Sequence, residues 1–270
     1  MLEINGYSKT FHAGTPNEVK ALKQIRLTIQ NGSFVVVIGT NGSGKSTLLN
    51  AVAGAFLPDR GTVLLDGHNI TGWSEHRRAK LVGRVFQNPF SGTAPGMTIA
   101  ENLAMAARRG RFPGISWALG PHLLDACRDR IRTLRMGLED RLDTAIGGLS
   151  GGQRQALTLL MATWQSPALL LLDEHTAALD PRSAERIIEL TNEIVTRHRL
   201  TTLMVTHSMH QAANLGDRLI MMHKGEVVRD SSGADKQRQR PDDLLAYFDQ
   251  LRRREMLDES AAEMLRQQYV

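Results

Sequence analysis

Hydrophobic and polar positions follow three successive patterns along the chain, and each pattern predicts a different kind of structure. Over the first forty residues apolar and polar side chains alternate, with turn residues at 14–17 and at 31–32, which predicts antiparallel strands joined by hairpins. The run Phe34–Ile38 is apolar throughout and mostly β-branched, as expected of a strand that is buried on both faces. A glycine-rich turn follows this run, and we predict a helix that begins near Lys45.

The middle of the chain, from about Glu101 to Gln165, has helical periodicity instead. Apolar residues recur there every three or four positions, which is typical of amphipathic helices. A loop rich in Gly, Pro and Arg interrupts the pattern at Arg108–Gly120. We interpret residues of about 100–165 as a helical subdomain that is inserted into an α/β core.

Short apolar runs return after residue 168 and alternate with a helical stretch. We predict strands at 169–172, 202–206 and 219–222, and a helix from about Pro181 to His198. This alternation is typical of βαβ units, so the main sheet should be mostly parallel. We therefore expect an α/β domain over residues 1–235 and a C-terminal helical extension over residues 236–270.

Composition restricts where the protein works but does not decide what it binds. The strongest apolar runs, Phe34–Ile38 and Ala168–Leu172, have five residues each, whereas a membrane span needs roughly 20. Met1–Thr10 has neither a basic leader nor an apolar stretch, and Cys127 is the only cysteine, so we expect no secretion signal and no intrachain disulfide. The formal net charge of +5 suits nucleic acid, an anionic lipid surface or a bound nucleotide, and these alternatives stay open.

The glycine-rich turn before the first predicted helix has the spacing of a phosphate-binding P-loop. Its residues, all expected to bind nucleotide, are Gly39, Thr40, Asn41, Gly42, Ser43, Gly44, Lys45, Ser46 and Thr47. Glycines let the backbone approach phosphate oxygens, and the N–H groups of a helix N-terminus attract an anion. We expect Lys45 to reach the β- and γ-phosphates and the Ser46 hydroxyl to ligate Mg²⁺. A chance glycine-rich turn is the alternative, and the preceding strand and following helix argue against it.

Two carboxylates, Asp173 and Glu174, follow the apolar run at 169–172. Ligands of open α/β sheets bind at the carboxyl ends of the strands, so both side chains should face the P-loop. We expect Asp173 to hold Mg²⁺ and Glu174 to accept a proton from the water that attacks the γ-phosphate. Strands that end in acidic residues are common, so this motif gains its weight from the P-loop that precedes it.

The pentapeptide Leu149–Gln153 opens a helix whose apolar positions recur at helical spacing. In the simplest interpretation Ser150 is an N-cap and the two glycines form a loose turn. Between a P-loop and an acidic strand end, however, this pentapeptide resembles the signature motif of ATP-binding cassette proteins. The resemblance extends from Leu2 to about Asp230. It implies an α/β P-loop NTPase cassette with a mostly parallel RecA-like core sheet, an N-terminal antiparallel β subdomain and an inserted helical subdomain.

The same resemblance implies further site residues. Gln87 looks like the Q-loop glutamine that senses Mg²⁺ and the attacking water, His207 like the switch histidine that contacts the γ-phosphate, and Phe11 like the aromatic residue that stacks on adenine. The implied catalytic residues are Glu174, His207, Gln87 and Lys45, and the implied Mg²⁺ ligands are Ser46, Gln87 and Asp173. The residues implied to contact nucleotide held by a second copy are Ser150, Gly151, Gly152, Gln153 and Asp180.

Several of these residues also have simpler interpretations. Gln87 would then be a solvated loop residue and Phe11 a core aromatic residue. His207 would be a partly buried histidine whose hydrogen bonds are satisfied. Asp180 immediately precedes Pro181 and should cap a helix whether or not it meets a second copy. We expect Asp180 to do both.

The motifs of a competent ATPase are all present. His175 stands where many relatives have proline, but Glu174 is intact. Non-transport cassette proteins, which act on nucleic acid or ribosomes, usually carry long coiled coils, zinc modules or a second cassette. This chain has one cassette, no extended heptads and no cysteine cluster. The basic loop Arg108–Arg111 is one argument for nucleic acid, although a short arginine run is more often a solvated face.

We therefore expect an ATP-hydrolysing subunit that powers transport through a separate membrane permease, as in bacterial importers. Its cofactors are ATP and Mg²⁺, and its place is the cytoplasmic face of the inner membrane, as a peripheral protein. The expected partners are transmembrane permease subunits, a second copy in a head-to-tail homodimer and, indirectly, a substrate-binding protein, with no specific nucleic acid. The stretches Glu101–Ala106 and Asp173–Pro181 are similar to ATPases that serve amino-acid-type permeases.

Overall fold

The computed structural model describes residues 1–110, 120–251 and 253. Its strands, in chain order, are β1 (Leu2–Phe11), β2 (Val19–Ile29), β3 (Phe34–Gly39), β4 (Arg60–Leu65), β5 (His68–Asn69), β6 (Val82–Val85), β7 (Leu169–Asp173), β8 (Thr202–Val205), β9 (Arg218–His223) and β10 (Glu226–Ser232). Its helices are α1 (Lys45–Ala53), α2 (Glu75–Arg78), α3 (Ile99–Ala107), α4 (Pro121–Arg132), α5 (Gly151–Thr163), α6 (Pro181–His198), α7 (Met209–Asn214) and α8 (Gly233–Gln237), and residues 241–251 form a further helix, α9.

The smaller of the two sheets is antiparallel, with the strand order β2-β1-β4-β5. β1 and β2 pair from Leu2 opposite Ile29 to Phe11 opposite Val19, and β4 continues the sheet on the other side of β1. The alternation of apolar and polar residues fits a sheet with one buried face. This sheet confirms the antiparallel subdomain predicted for the start of the chain.

The larger sheet has the order β10-β9-β3-β8-β7-β6. Its neighbouring strands are parallel except for β10 and β9, so the sheet is mostly parallel, as predicted. β8 lies between β3 and β7, and β3 is buried along its whole length. The loops that follow β3, β7 and β8 leave the sheet at the same edge, which brings together the segments after Gly39, Asp173 and Val205.

The larger sheet separates two hydrophobic cores, because successive side chains of a strand point to opposite faces. Val35 and Val37 of β3 face a core that is shared with the antiparallel sheet and α1. Val36 and Ile38 face a core that is shared with α3, α4, α5 and α6. All four side chains are fully buried. The strand that leads into the glycine-rich turn is therefore fixed from both sides.

Helices α3, α4 and α5 occupy the segment between β6 and β7 that we interpreted as an inserted helical subdomain. Thr98 and Glu101 form a capping box at the start of α3, and buried Cys127 and Ile131 of α4 pack in the same core as α5. Residues 111–119, which make up most of the loop predicted at Arg108–Gly120, lie outside the described residues.

One strand boundary differs from the prediction in detail. The strand expected at 202–206 ends at Val205. Thr206, in the loop that follows, donates its hydroxyl to Gln211 of α7 and accepts from the Ser208 N–H. The domain boundary after residue 235 falls within α8 and stays a prediction.

Leu244 and Phe248 of α9 are buried against the main core, whereas residue 252 and residues 254–270 lie outside the described part. No helix among the described residues combines the length and apolarity needed to cross a membrane.

Candidate nucleotide-binding site

The turn between β3 and α1 has a backbone that favours glycine, most clearly at Gly39 and Gly44. A Cβ on Gly39 would lie 2.4 Å from the Met222 carbonyl oxygen, so any side chain there collides with backbone. Gly44 has φ of 99°, a left-handed conformation that glycine adopts without a Cβ penalty. This turn leads directly into α1 at Lys45, so its N–H groups lie at a helix N-terminus, the arrangement that binds phosphate groups.

Lys45 lies over the carbonyl groups of the same turn. Its side chain is 5% exposed, and Nζ donates to the carbonyl oxygens of Gly39 at 2.9 Å and Thr40 at 3.0 Å. Burial lowers the pKa of the Lys45 ammonium, and the nearby carboxylates of Glu174 and Asp173 act in the opposite direction. A buried ammonium at a helix N-terminus is suited to a polyanion, whose charge would compensate its desolvation.

Asp173 and Ser46 place two side-chain oxygen atoms next to each other beside the turn. Ser46 Oγ donates to Asp173 Oδ1 at 3.4 Å, and Asp173 is the last residue of β7. A hydroxyl and a carboxylate oxygen are the hard ligands that Mg²⁺ prefers. Together with the glycine-rich turn, this pair of oxygen atoms fits a nucleotide with bound Mg²⁺. The nucleotide would supply the phosphoryl group, and Mg²⁺ would supply positive charge that polarises it.

Glu174 lies at the centre of the predicted catalytic residues. Its Oε1 pairs with His207 Nε2 at 2.5 Å, and its Oε2 accepts from Gln87 Nε2 at 3.3 Å. The backbone of Glu174 has φ of 46°, a conformation that costs a residue with a Cβ on the order of 1 kcal/mol or more. The structure thus brings together Glu174, His207 and Gln87, and the expected Mg²⁺ role of Gln87 stays a prediction.

A cavity of about 580 Å³ joins these groups to Phe11. It is lined by Phe11, residues 41–47, Glu174 and His207, among others. The Phe11 ring meets Phe56 edge to face, with centroids 5.2 Å apart. Phe11 therefore has a structural partner and also lines the cavity, so its expected role in stacking on adenine stays a prediction.

The signature residues lie elsewhere, against the start of α6. Ser150 and Gln153 form a capping box at the N-terminus of α5, and a Cβ on Gly152 would lie 3.0 Å from Ser183 Oγ. Asp180 Oδ1 accepts from the Ser183 N–H at 3.0 Å and caps α6. Hydrogen bonding from the Ser183 side chain, and then from its N–H, lowers the pKa of Asp180. The capping roles expected for Ser150 and Asp180 are thus observed. Among the described residues, the lining of the P-loop cavity does not include the signature residues or Asp180.

Comparison with known proteins places this geometry in a family. The family model described as ABC transporter matches residues 22–177, which is more than half of the chain. The chain belongs to the ABC transporter family. It is 43% identical over 251 residues to a tyrosine transport ATP-binding protein of Clostridioides difficile, a match that covers 92% of this chain and 99% of that protein. As a member of this family the cassette binds and hydrolyses ATP.

Other relatives of the cassette have different names. It is 37% identical to a lipoprotein-releasing system ATP-binding protein, LolD 1, of Caulobacter vibrioides, over 82% of this chain and 92% of that protein. The similarity to a phosphonates import ATP-binding protein, PhnC, of Thiobacillus denitrificans is 36%, over 87% and 88%. Among solved structures, a dimeric post-hydrolysis state of the cassette MJ0796 bound to ADP and Pi matches with a TM-score of 0.74 and 27% identity, covering 89% of this chain and 100% of that chain.

Two arginines near the cassette's motifs were missed by sequence reasoning. Arg84 on β6 donates to Asn50 Oδ1 at 2.6 Å and to Asp173 Oδ2 at 3.4 Å. It therefore bonds the carboxylate oxygen of Asp173 that Ser46 does not contact. Arg154 on α5 is 6% exposed and donates to the carbonyl groups of residues 146, 147 and 149. Its guanidinium carbon lies 3.7 Å from the centroid of the Phe90 ring. Only the presence of a charge beside each motif could have identified them.

Proposed function

We propose that this cassette is the ATP-hydrolysing subunit of an importer, peripheral at the cytoplasmic face of the inner membrane and attached to a separate permease. The observation that carries the proposal is the cluster of Glu174, His207 and Gln87 at the edge of the sheet beside the P-loop. Hydrolysis needs a base next to bound phosphate, and Glu174 is the carboxylate available there. The alternative of a non-transport ATPase has no comparable support in the relatives reported above, whose names describe transport, import or release.

Each residue of the cluster has one proposed task. The N–H groups of residues 39–47 and the Lys45 ammonium bind the phosphates, while Ser46 and Asp173 ligate Mg²⁺ with help from Gln87. Glu174 Oε1 accepts a proton from the attacking water. His207, which pairs with Glu174, would contact the γ-phosphate.

Two copies would complete the site. Ser150, Gly151, Gly152, Gln153 and Asp180 lie apart from the cavity of their own chain. Because a serine hydroxyl and a helix N-terminus are donors that an open P-loop lacks, we propose that they cover the γ-phosphate held by a second copy in a head-to-tail homodimer. The dimeric structure of MJ0796 supports this arrangement, which is isologous and creates two equivalent sites.

The direction of transport and the substrate class are proposed from the relatives of this chain. The relatives of this chain include ATP-binding proteins named for tyrosine transport, phosphonate import and methionine import, which favours an importer, and the first and last favour an amino-acid-type substrate. A substrate-binding protein would then deliver the substrate to the permease. Phe90 and Met105 are apolar side chains that are 44% and 45% exposed, and we propose that the docked permease covers them.

The test is reconstitution with a candidate permease and a candidate substrate-binding protein. Proteoliposomes that contain ATP inside should take up a labelled amino acid only when the substrate-binding protein is present. A matched preparation with Glu174→Gln should bind ATP and take up nothing. ATP-dependent release of a lipid-linked substrate instead of uptake would replace the importer by a releasing system, the direction named for the LolD relative. Robust stimulation of hydrolysis by DNA or RNA near physiological salt would restore the non-transport alternative.

A further inference from the structure

The two side chains that pair at the catalytic centre come from different loops. Glu174 follows β7, and His207 lies two residues after the end of β8. The adjacent strands are in register, with Asp173 opposite Val205, and the Glu174 N–H donates to the Val205 carbonyl oxygen at 3.0 Å. These backbone contacts fix where the loops begin. The conformation of the loops beyond these contacts determines whether the Glu174 and His207 side chains meet, and the backbone contacts do not fix it.

One side chain on α7 bonds to both loops. Gln211 Oε1 accepts from Thr206 Oγ1 at 2.6 Å, and Gln211 Nε2 donates to Thr176 Oγ1 at 3.2 Å. Thr206 immediately precedes His207, and Thr176 is two residues after Glu174. Both threonines are buried, with 4% and 8% of their surface exposed. Both hydrogen bonds are partly buried, and a hydrogen bond is stronger in such surroundings than in water.

Further hydrogen bonds support the two loops that Gln211 joins. The Thr206 hydroxyl also accepts from the Ser208 N–H at 3.1 Å, and Ser208 Oγ accepts from the Gln211 N–H at 3.3 Å, which caps α7. On the other loop, His175 Nε2 lies 3.0 Å from Thr191 Oγ1 of α6. The Glu174 loop is thus anchored to α6 by one residue and to α7 by the next.

We propose that Gln211 is a positioning residue for ATP hydrolysis, which sets Glu174 relative to His207. Gln211 is not among the residues that line the P-loop cavity, so it acts through the two loops and not on the nucleotide. Displacement of a base by about 1 Å is enough to lower a rate by one or two orders of magnitude. Loss of the bridge should therefore slow turnover and leave ATP binding, which depends on the P-loop, nearly unchanged.

The test uses the full chain with two substitutions and a matched control. Gln211→Leu keeps the approximate volume and removes both bonds, whereas Thr176→Val removes only the acceptor of Nε2. Asn214→Ala, on the same helix, removes a side-chain bond to the His210 carbonyl oxygen without touching either loop. Steady-state hydrolysis gives kcat and KM for each variant, and thermal unfolding reports whether each one is folded.

Gln211→Leu should lower kcat on the order of tenfold and change the KM for ATP by less than about twofold. Thr176→Val should lower kcat less, and the double variant should be no slower than Gln211→Leu alone, because both remove the same bridge. In the nucleotide-free chain, the His207 ring resonances should shift in Gln211→Leu and stay in place in Asn214→Ala. Unchanged kcat in a folded Gln211→Leu chain, or His207 resonances at their wild-type positions, would overturn the proposal. So would additive effects in the double variant.

Discussion

The P-loop region comprises residues 39–47 with Asp173, Glu174 and His207, and the signature region comprises residues 149–153 with Asp180. Their polar side chains differ in burial and in hydrogen bonding. In the first, a buried ammonium rests on carbonyl oxygens and Glu174 keeps a left-handed backbone beside two polar partners around a cavity. In the second, Ser150 and Asp180 are ordinary helix caps with satisfied bonds. Strain and desolvation accumulate where chemistry is performed, whereas the caps stabilise a surface that is available for a second role. The difference fits the proposal that one region performs the reaction and the other completes the site of a neighbouring copy.

The largest effects should separate binding from hydrolysis within the P-loop region. Lys45→Ala should abolish tight ATP binding, because the phosphates lose their buried ammonium. Glu174→Gln should keep binding and lower turnover by about 10²–10⁴-fold, the range expected for loss of a general base. Calorimetric titration with ATP and a phosphate-release assay measure the two quantities. Equal loss of affinity in both variants would show that the roles are assigned wrongly.

Features formed by consecutive residues could be predicted from the sequence, whereas contacts between residues far apart in the chain could not. The P-loop is a strand, a turn and a helix that follow one another, so its spacing predicted both the fold and the start of α1 at Lys45. Pro181 and Asp180 likewise marked the start of α6. Arg84 and Gln211, in contrast, act on Asp173 and Thr176, which are far away in sequence. No pattern along the chain reports such contacts, and they become visible only when the strands are placed side by side.

The signature region should respond to substitutions that keep its capping bond. Asparagine caps a helix about as well as serine, whereas alanine costs about 1 kcal/mol. Ser150→Asn should therefore keep the free energy of unfolding, and Ser150→Ala should lose about 1 kcal/mol of it. If Ser150 also donates to a phosphate, both variants should lose on the order of 10²-fold in turnover. Full turnover in Ser150→Asn would leave Ser150 as a cap alone.

A mixed dimer locates that phosphate. One copy carries Lys45→Ala and the other Ser150→Arg, both held on the permease. Shared sites put both lesions into one site, so the other site should trap one nucleotide per dimer with vanadate. If each copy built its site alone, both sites would be damaged and the dimer would trap none. Trapping is a better measurement than turnover here, because coupling between the sites can stop turnover even when one site is intact.

His175 links the loop of Glu174 to α6 through Thr191, and its effect on stability should depend on pH. It is completely buried, which lowers the pKa of its imidazole from 6.5 to about 4. The folded chain therefore favours the neutral ring. This contribution is fully present above pH 6.5 and is lost as the pH falls towards 4, by up to about 3 kcal/mol. Urea unfolding of the wild type and of His175→Gln, whose amide can still donate to Thr191, should give a difference that changes over this interval. A difference that is constant from pH 7.5 to 4.5 would contradict the prediction.

The smallest effect should come from adding one methyl group to the signature region. A Cβ on Gly151 would lie 3.2 Å from Leu179 Cδ2, the end of a partly buried side chain in a loop, which can move. Alanine also favours helix over glycine by up to about 1 kcal/mol. These terms oppose each other, so Gly151→Ala should change the free energy of unfolding by less than about 0.5 kcal/mol.

The same substitution in the P-loop region is the control. A Cβ on Gly39 would lie 2.4 Å from the Met222 carbonyl oxygen, which belongs to a paired strand and cannot move away. Gly39→Ala should therefore cost about 1–3 kcal/mol, as overpacking in a core does. Both values come from urea unfolding of the nucleotide-free chain, where no ligand or second copy contributes. Equal destabilisation by the two alanines would mean that the start of α5 is as tightly constrained as the P-loop, and the contrast between the regions would fail.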